Sequence, residues 1–426
     1  MEPKQVLALD EIDLSDVNFW ALPLEERHGA FKTLREQQPL AFFAEPAVEA
    51  GFIEPGPGYY AVTKHADILE ASHQPELFCS GRGATSIADI PPEFMEFFSS
   101  MISMDDPRHA RLRGIVSRGF TPRMLKKVED DVQRGAAEIV DRVIDRGSCD
   151  FVTDVAARLP LKIICDMMGI PEKDYDFIFE KSNVILGAGD PEYVAPGEDI
   201  VAALLSAGTE LSQMVAELGS YRMEHPTDDL TSALVNADIE GEQLTGPELG
   251  SFFILLVVAG NETTRNAISH GLQVLTEHPD QRDLWASDFE RYAPMAVEEI
   301  VRWASPVIWM RRTATQDTTL GGRPVKEGDK FLLFYSSANR DEDVFADPFR
   351  FDITRDPNPH VGFGGPGPHF CLGAHLARRE ITVMYRELYS RLPDLRADGE
   401  PVRLLSNFIN GIKHLPCAFT PGGKAA

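Results

Sequence analysis

The sequence is poor in cysteine and in positive charge. Its five cysteines, Cys79, Cys149, Cys165, Cys371 and Cys417, are widely spaced and form no Cys-x-x-Cys pair. An odd number in this arrangement argues against a disulfide framework and against a structural zinc site, and is typical of a reducing cytoplasm. The net charge of −26 argues against a nucleic-acid partner, because binding phosphate groups requires a basic field.

Long apolar runs are also missing. The longest strongly apolar stretch, Phe252 to Gly260, is shorter than the ~20 residues that a membrane-spanning helix needs. The first residues, "MEPKQVLALDEIDLSD", are polar and acidic, and they lack the basic start and apolar centre of a secretion signal. We therefore expect a cytoplasmic protein without a transmembrane segment.

Helical patterns dominate what is present. One predicted helix begins at Pro107, and the next continues to Gly147. The longest runs from about 247 to 278, with Thr245 as its cap and Pro279 as its stop. At 1.5 Å per residue it spans roughly 45 Å, enough to cross a whole domain. Because its centre is apolar on all sides, we predict that it is buried.

Strand patterns are fewer and shorter, and they occur at 59–62, 311–315, 330–335 and in parts of 403–420. No internal repeat or low-complexity linker divides the chain. We therefore predict one domain over residues 1–426, mainly α with minor β, with flexible ends at about 1–15 and 421–426.

A polar group interrupts the apolar centre of the long helix in "LLVVAGNETTRNAI", residues 255–268. Gly260 costs about 1 kcal/mol of helix propensity relative to alanine, and Thr263 can turn its hydroxyl onto a main-chain carbonyl and bend the helix. With Glu262, these residues predict a local notch that presents a carboxylate and a hydroxyl. The alternative is a buried acid that is simply paired with Arg265 or another base.

Two further pairs have helical spacing. Glu299 and Arg302 are three residues apart in "EEIVR", an arrangement that is common on helix surfaces and worth only ~0.3 kcal/mol there. His109 and Arg113 are four apart and share a helix face. They predict an anion held between them, although a solvated basic face explains the pair equally well.

Cys371 lies between a loop rich in glycine and proline and a helix, in "VGFGGPGPHFCLGAHLARREI", residues 361–381. Helix amides and the helix dipole lower the pKa of a thiol in that position. Gly365, Gly367 and Gly373 let the backbone pass close to the sulfur. The thiolate is predicted to be either a nucleophile, for which His369 is the only local base, or a metal ligand.

As a metal ligand, Cys371 has no cysteine or histidine partner at metal spacing, which excludes a tetrahedral zinc cage. The remaining case is a metal whose other ligands are not protein. Heme iron is such a metal, and cysteine thiolate is one of its known axial ligands.

Four segments together resemble the cytochrome P-450 monooxygenases, a heme-thiolate family. The stretch "AGNETT" resembles the family's oxygen-activation signature, "EEIVR" its Glu-x-x-Arg motif, "FADPFRF" the segment that supplies a second arginine, and "GPHFCLG" its cysteine loop. All four stand in the family's order, and the resemblance extends over about residues 18–420. It implies the cytochrome P-450 fold, in which a long central helix crosses the domain over a heme beside a small β-rich lobe.

The resemblance also implies roles for individual residues. Cys371 would be the axial thiolate of heme b, iron protoporphyrin IX, and Glu262 with Thr263 would form an acid–alcohol pair. A structural salt-bridge triad would consist of Glu299, Arg302 and Arg350. The heme propionates would be held by His109, Arg113, Arg312 and His369. The substrate pocket would include Val258, Ala259, Val307 and Phe408, each of which could equally be ordinary core.

One departure from the family pattern lies in the cysteine loop. The family's loop phenylalanine usually stands seven residues before the cysteine, whereas Phe363 stands eight residues before Cys371. The loop therefore carries one extra residue, and its prolines, Pro366 and Pro368, stiffen it. The ligand assignment is unaffected, but the roles of Phe363 and Gly364 beside the sulfur stay open.

Stretches such as "PLKIICDMMGIP" and "SNVILGAGDP" resemble the actinobacterial, especially mycobacterial, members that hydroxylate lipid and sterol side chains. This implies a hydroxylase acting on the terminal (omega) carbon of a methyl-branched fatty lipid, or alternatively on a sterol side chain. Such an enzyme uses O2 and two electrons from a ferredoxin, which an NAD(P)H-dependent reductase supplies. More remote alternatives are a peroxide-using enzyme and a non-catalytic heme-thiolate binding protein.

The distribution of positive charge bears on the electron donor. In this acidic chain, basic residues cluster between 108 and 127, and Arg378 and Arg379 follow shortly after Cys371. We expect this cluster to steer an acidic ferredoxin by complementary charge, and we expect the protein to be a monomer.

Overall fold

The computed structural model describes residues 7–46, 56–119, 122–236 and 243–422. Its α-helices are α1 (Val17–Ala21), α2 (Leu24–Gln37), α3 (His65–His73), α4 (Pro92–Ser99), α5 (Arg108–Gly119), α6 (Pro122–Val143), α7 (Arg158–Met168), α8 (Tyr175–Gly187), α9 (Ile200–Glu224), α10 (Leu230–Asn236), α11 (Gly246–Glu277), α12 (Pro279–Ser287), α13 (Phe289–Ala304), α14 (Tyr335–Ala338) and α15 (Ala374–Arg391). Short 3-10 or π-helical turns lie at Leu9–Glu11, Ser100–Ser103, Val152–Ala156 and Glu172–Asp174.

The strands are short and carry a much smaller share of the chain. They are β1 (Leu40–Phe43), β2 (Tyr59–Val62), β3 (Phe78–Cys79), β4 (Ser148–Asp150), β5 (Trp309–Ala314), β6 (Thr318–Leu320), β7 (Arg323–Val325), β8 (Lys330–Phe334), β9 (Arg396–Ala397), β10 (Val402–Arg403), β11 (Ile412–His414) and β12 (Pro416–Ala418). The predicted class, mainly α with minor β, is therefore confirmed.

Helix α11 is the central element, as predicted. Its 32 residues span roughly 48 Å at 1.5 Å per residue. Thr245 and Glu248 cap its start reciprocally: Thr245 Oγ1 accepts from the N–H of Glu248 at 3.3 Å, and Glu248 Oε2 accepts from the N–H of Thr245 at 2.9 Å. Helices α4, α7, α9 and α13 pack around it and bury most of it, although Ala259 in its apolar centre is exposed.

The other predicted helices are close to the observed ones. Helix α5 begins one residue after Pro107. Helix α6 ends at Val143 and not at Gly147, because the chain turns at 144–147 and Gly147 adopts a φ of +78°, a left-handed conformation that favours glycine. This turn leads directly into β4.

The main sheet has the strand order β1-β2-β8-β5-β3. Strands β2 and β8 pair in parallel, with Tyr60 opposite Phe331, and the other pairs are antiparallel. The strand predictions for 59–62, 311–315 and 330–335 correspond to β2, β5 and β8, although Tyr335 begins α14. Strands β3 and β9 were missed because two residues are too few for an alternating pattern.

The segment after α8 is tied to β11 by ion pairs. Lys413 Nζ lies 2.8 Å from Asp190 Oδ1 and 2.7 Å from Glu192 Oε2. His414 lies between two carboxylates, with Nδ1 2.5 Å from Asp150 Oδ2 and Nε2 2.9 Å from Glu192 Oε1. Burial alone would lower the pKa of His414, but the bonds to Asp150 and Glu192 raise it above the usual value.

Part of the expected flexible start packs against the rest of the protein. Ile12 and Leu14 are buried in an apolar cluster with Trp20, and the indole N–H of Trp20 donates to the carbonyl of Leu14 at 2.9 Å. Residues 1–6 and 423–426 of the two predicted flexible ends lie outside the described residues. Among the described helices, none has the length and apolar character that crossing a membrane requires.

Candidate active site

The loop before α15 places Cys371. The N–H of Cys371 donates to the carbonyl of Phe363 at 3.0 Å, and the N–H of Phe370 donates to the carbonyl of Gly367 at 3.1 Å. At the start of the loop, the N–H of Val361 donates to Asn339 Oδ1 at 2.8 Å. The loop is thus closed on itself by main-chain bonds, and the side chain of Cys371 is accessible at its end. Phe363 closes the loop despite the extra residue.

Two glycines let this loop approach α3. A Cβ on Gly365 would come within 2.3 Å of Ser72 Oγ. Gly367 has a φ of +135°, and a Cβ there would come within 2.5 Å of the Ser72 carbonyl oxygen. A Cβ on Gly373 would meet nothing within 4 Å. The crowding neighbour that selects glycine at 365 and 367 is therefore helix α3, and not the sulfur as we expected.

The surroundings of the Cys371 thiol act on its pKa in both directions. Desolvation by the surrounding protein raises the pKa, and this effect dominates. A hydrogen bond from the main chain of Gly373, together with the charges of Arg113 and Arg378, lowers it. The net effect of the protein is to raise the pKa of this thiol, and a cation bound at the sulfur would oppose that effect.

Four basic side chains, from α5, β5 and the cysteine loop, face one another near Cys371. The rings of His109 and His369 lie 4.2 Å apart, and Arg113 Nη2 donates to the carbonyl of Phe370 at 2.7 Å. Burial, followed by the charges of Arg312, His109 and Arg113, lowers the pKa of His369 to about 3. Burial also lowers the pKa of His109, although Asp106 opposes it. The structure thus brings all four predicted propionate-binding residues together.

The two residues of the predicted acid–alcohol pair, Glu262 and Thr263, lie in different environments. Thr263 Oγ1 donates to the carbonyl of Ala259 at 2.7 Å, on a half-exposed stretch of α11. Glu262 is buried and forms an ion pair with Arg265. Its Oε1 also accepts from Asn266 Nδ2 at 3.1 Å. The ion pair with Arg265, which we considered as an alternative to a catalytic role, is present.

Three of the predicted pocket residues are half-buried and pack against core clusters, and the fourth is exposed. Ala259 is exposed although it stands at the middle of the central helix, and Val258 is half-buried. Val307 is half-buried and pairs with Ile409 in an isolated antiparallel bridge. Phe408, also half-buried, packs its ring edge-on against Trp309 at 5.0 Å.

The salt-bridge triad needs one correction. Glu299 and Arg302 form a bidentate pair in which Nε and Nη2 of Arg302 each lie 2.7 Å from a Glu299 oxygen, and both side chains are fully buried. The second arginine on Glu299 is Arg355, whose Nε lies 3.2 Å from Oε2. Arg350 is exposed and contributes only its carbonyl, which accepts from Arg302 and Arg355.

The reason for this difference is the path of the chain between 346 and 355. Asp347 has a φ of +48°, and the N–H of Arg350 donates to the carbonyl of Asp347 at 2.9 Å. This turn directs the carbonyls of Ala346, Asp347 and Arg350 onto the guanidinium of Arg355. A signal was present in the sequence, since a second arginine follows Arg350 by five residues.

Sequence reasoning also missed Glu298, although the "EEIVR" stretch shows two adjacent glutamates. Adjacent residues on a helix point about 100° apart, so Glu298 and Glu299 reach different neighbours. Glu298 binds His360 and Arg378, on either side of the cysteine loop. Burial raises the pKa of Glu298, but the hydrogen bonds from His360 and Arg378 outweigh burial and lower this pKa to about 2.

The basic cluster between 108 and 127 is partly neutralised. Arg108 pairs with Glu96 at 2.5 Å and Arg111 with Glu248 at 2.8 Å, whereas Lys126 and Lys127 are exposed on the first turns of α6. Helices α6 and α15 run side by side in the same direction, because residues 133 and 141 of α6 contact 387 and 391 of α15. The start of α6 therefore lies at the Cys371 end of α15.

Comparisons with known proteins agree on one family. The family model described as Cytochrome P-450 matches residues 291–391. The methyl-branched lipid omega-hydroxylase of Mycobacterium tuberculosis is 50% identical over 430 residues, which cover 98% of this chain and 97% of that protein. The steroid C26-monooxygenase of Mycolicibacterium smegmatis is 41% identical, over 96% of this chain and 93% of that protein. A Mycobacterium marinum cytochrome P-450 solved in complex with pseudoionone matches with a TM-score of 0.90 at 43% identity, over 97% of this chain and 100% of that one.

Proposed function

The chain belongs to the cytochrome P-450 family, and from this premise we propose that it hydroxylates the terminal carbon of a methyl-branched lipid. Membership makes it a heme-containing monooxygenase, and the predicted fold is confirmed. The proposal depends on one observation. The side chain of Cys371 is accessible at the junction of loop and helix, and four basic side chains lie beside it. The choice of lipid rests on the 50% identity to a methyl-branched lipid omega-hydroxylase.

The residues around Cys371 fit heme b. A thiolate at position 371 would bind the iron, and the basic side chains of His109, Arg113, Arg312 and His369 would hold the two carboxylates of the porphyrin. Two observations support the fit: His109 Nε2 is buried without a hydrogen-bond partner, and burial, followed by the charges of Arg312, His109 and Arg113, lowers the pKa of His369. An anion bound among these groups would give His109 Nε2 a hydrogen-bond partner and would offset the positive charge around His369. When bound, thiolate-ligated heme supplies activation of O2, since the thiolate pushes electron density toward O–O cleavage.

The chain's own part in the reaction is to handle protons and exclude water. Thr263 Oγ1 places a hydroxyl proton on the accessible stretch of α11, where the Ala259 carbonyl holds it in place. Glu262 stands one residue away and is bound by Arg265 and Asn266. We propose that the Thr263 hydroxyl forms a hydrogen bond with the reacting oxygen and that the Glu262 carboxylate exchanges protons with water. Glu262 must loosen its contact with Arg265 to carry out that exchange.

The substrate is apolar. Val258, Val307 and Phe408 are half-buried apolar side chains and Ala259 is exposed, and an apolar lining of this kind would favour a ligand with few polar anchors. Sterol side-chain hydroxylation is the second candidate, because the steroid C26-monooxygenases are also relatives and a sterol side chain likewise ends in a methyl branch. Optical titration separates the two: a methyl-branched fatty acid that shifts the heme spin state at lower concentration than a sterol supports the first.

The heme ligand is tested by the spectrum of the reduced protein with carbon monoxide. The wild type should show the long-wavelength Soret band of thiolate coordination, and Cys371→Ser should lose it. Cys149→Ser is a useful control, since it makes the same substitution at a cysteine on β4, outside the cysteine loop. An unaltered spectrum in Cys371→Ser would remove the basis of the proposal.

Electron supply distinguishes a monooxygenase from the remaining alternatives. We propose that a ferredoxin, reduced by an NAD(P)H-dependent reductase, docks on the face formed by the start of α6 and the cysteine loop. Product should form only when all three components are present. Product formed with peroxide alone would favour a peroxide-using enzyme, and heme binding with no product under either condition would favour a binding protein. The protein itself is proposed to act as a monomer in the cytoplasm.

A further inference from the structure

One carboxylate joins the two ends of the cysteine loop. Glu298 Oε2 lies 2.8 Å from His360 Nε2, and His360 immediately precedes the loop. Arg378 lies on α15, seven residues after Cys371, and its Nε and Nη2 donate to Glu298 Oε1 at 2.5 Å and Oε2 at 2.9 Å. The N–H of Gly362 donates to His360 Nδ1 at 3.1 Å, so the ring proton is on Nε2 and points to Glu298.

The guanidinium that Glu298 holds lies against the residue that closes the loop. The central carbon of Arg378 is 4.4 Å from the centre of the Phe363 ring, a cation–π distance. The carbonyl of Phe363 accepts the N–H of Cys371 at 3.0 Å. The contacts therefore run without a break from Glu298 through Arg378 and Phe363 to Cys371.

The cysteine loop also makes a close contact with α13 where the loop begins. A Cβ on Gly362 would come within 2.6 Å of Val301 Cγ1, so the loop enters in direct contact with α13, one turn beyond Glu298. Bidentate ion pairs between arginine and carboxylate fix orientation as well as distance. The charge of Arg378 is thus held in one place relative to the sulfur, and it acts on the Cys371 thiol through space.

We propose that Glu298 and Arg378 are positioning residues for the Cys371 thiolate. Glu298 fixes both ends of the loop, and the Arg378 charge that it holds sets the electrostatic field at the sulfur and so the reduction potential of the iron. The inference rests on the proposed heme-thiolate function. Its physical basis is that a nearby cation favours the more negative, reduced state, while a nearby carboxylate opposes it.

Removing the charge of Glu298 and removing the charge of Arg378 should therefore shift the reduction potential of the iron in opposite directions. In Glu298→Gln the Arg378 charge is no longer compensated, and the potential should rise. In Arg378→Gln the cation is gone while Glu298 keeps its charge, and the potential should fall. At the wild-type midpoint potential we expect about a tenfold change in the ratio of reduced to oxidised protein in each direction, which is about 59 mV for one electron. Arg378→Lys should lie close to the wild type.

The same two helices supply a matched control. Arg386 on α15 donates to Glu290 on α13 through Nε at 2.9 Å and Nη2 at 3.1 Å, in the same bidentate arrangement. It stands eight residues further along α15, about 12 Å from Arg378. Arg386→Gln and Glu290→Gln remove equal charges from the same helix pair, and both should leave the potential unchanged.

The outcomes separate this inference from the proposed function. Potentials are measured by spectroelectrochemical titration of heme-loaded protein, alongside the carbon monoxide spectrum. If the wild type lacks the thiolate band, the proposed function fails. If it has the band but the two variants shift the potential in the same direction, or no more than the Arg386 and Glu290 variants do, the positioning role is overturned. A loss of loop structure alone cannot produce shifts of opposite sign.

Discussion

The identity of the second arginine on Glu299 can be tested by two single substitutions. The motif resemblance implies Arg350, whereas the structure places Arg355 there. The Nε–H of Arg355 makes one bifurcated bond to the two oxygens of Glu299, at 3.2 and 3.4 Å, and its other nitrogens donate to the carbonyls of Ala346, Asp347 and Arg350 at 2.7, 3.2 and 3.0 Å. Its side chain is 10% exposed. Arg350 is exposed and lends only its carbonyl.

The expected cost follows from these contacts. In Arg355→Gln, the carbonyls of three exposed residues lose a charged donor, while Glu299 keeps Arg302 and Asn358. Bonds to charged groups are worth about 1.5–3 kcal/mol each at most, and some carbonyls will recruit water, so we expect a loss of about 2–4 kcal/mol. Arg350→Gln should cost less than about 0.5 kcal/mol, as for other surface substitutions.

These energies translate into small but measurable shifts in melting temperature. Unfolding entropy is about 2.1 cal/mol/K per residue, hence about 0.9 kcal/mol/K for 426 residues. Arg355→Gln should therefore lower the melting temperature by about 2–4 °C, and Arg350→Gln by about half a degree. Both are measured by circular dichroism at equal heme content, because bound heme itself stabilises the fold. Equal shifts in the two variants, or a larger one in Arg350→Gln, would refute the assignment of Arg355.

Three further perturbations test other parts of the protein. The Thr263→Ala variant should continue to consume NAD(P)H, while the amount of product formed per NAD(P)H falls by about tenfold or more. An unchanged ratio would show that Thr263 does not take part in proton transfer. Lys126→Glu with Lys127→Glu should slow reduction by the ferredoxin and weaken its dependence on salt. The control is Lys173→Glu, near the far end of α6, and a slowing of equal size there would argue against docking at the cysteine end. The raised pKa of His414 means that its proton stabilises the folded state fully below pH 6.5, and that this stability is lost as the pH rises through the raised pKa. His414→Gln should therefore show a smaller fall in melting temperature above pH 6.5 than the wild type, and parallel curves would show that the His414 proton does not contribute.

The helical part of the fold and the family could be predicted from the sequence because their signals are local. The Thr245 cap, the apolar run and Pro279 together define α11 to within one residue of its predicted ends, since capping and hydrophobic periodicity depend on neighbours along the chain. Cys371 is equally local: it is recognised by the glycines before it and the helix after it. Strands of two residues, such as β3, offer no such pattern.

What the tertiary structure decided is which side chains meet. Arg355 and not Arg350 reaches Glu299, because a turn at Asp347 redirects the chain. Gly365 is required by Ser72, nearly three hundred residues earlier. Glu298 spans the cysteine loop only because α13 and α15 lie side by side. Motifs and periodicity describe neighbours along the chain, whereas ion pairs and steric contacts depend on where distant segments are placed, and only packing determines that.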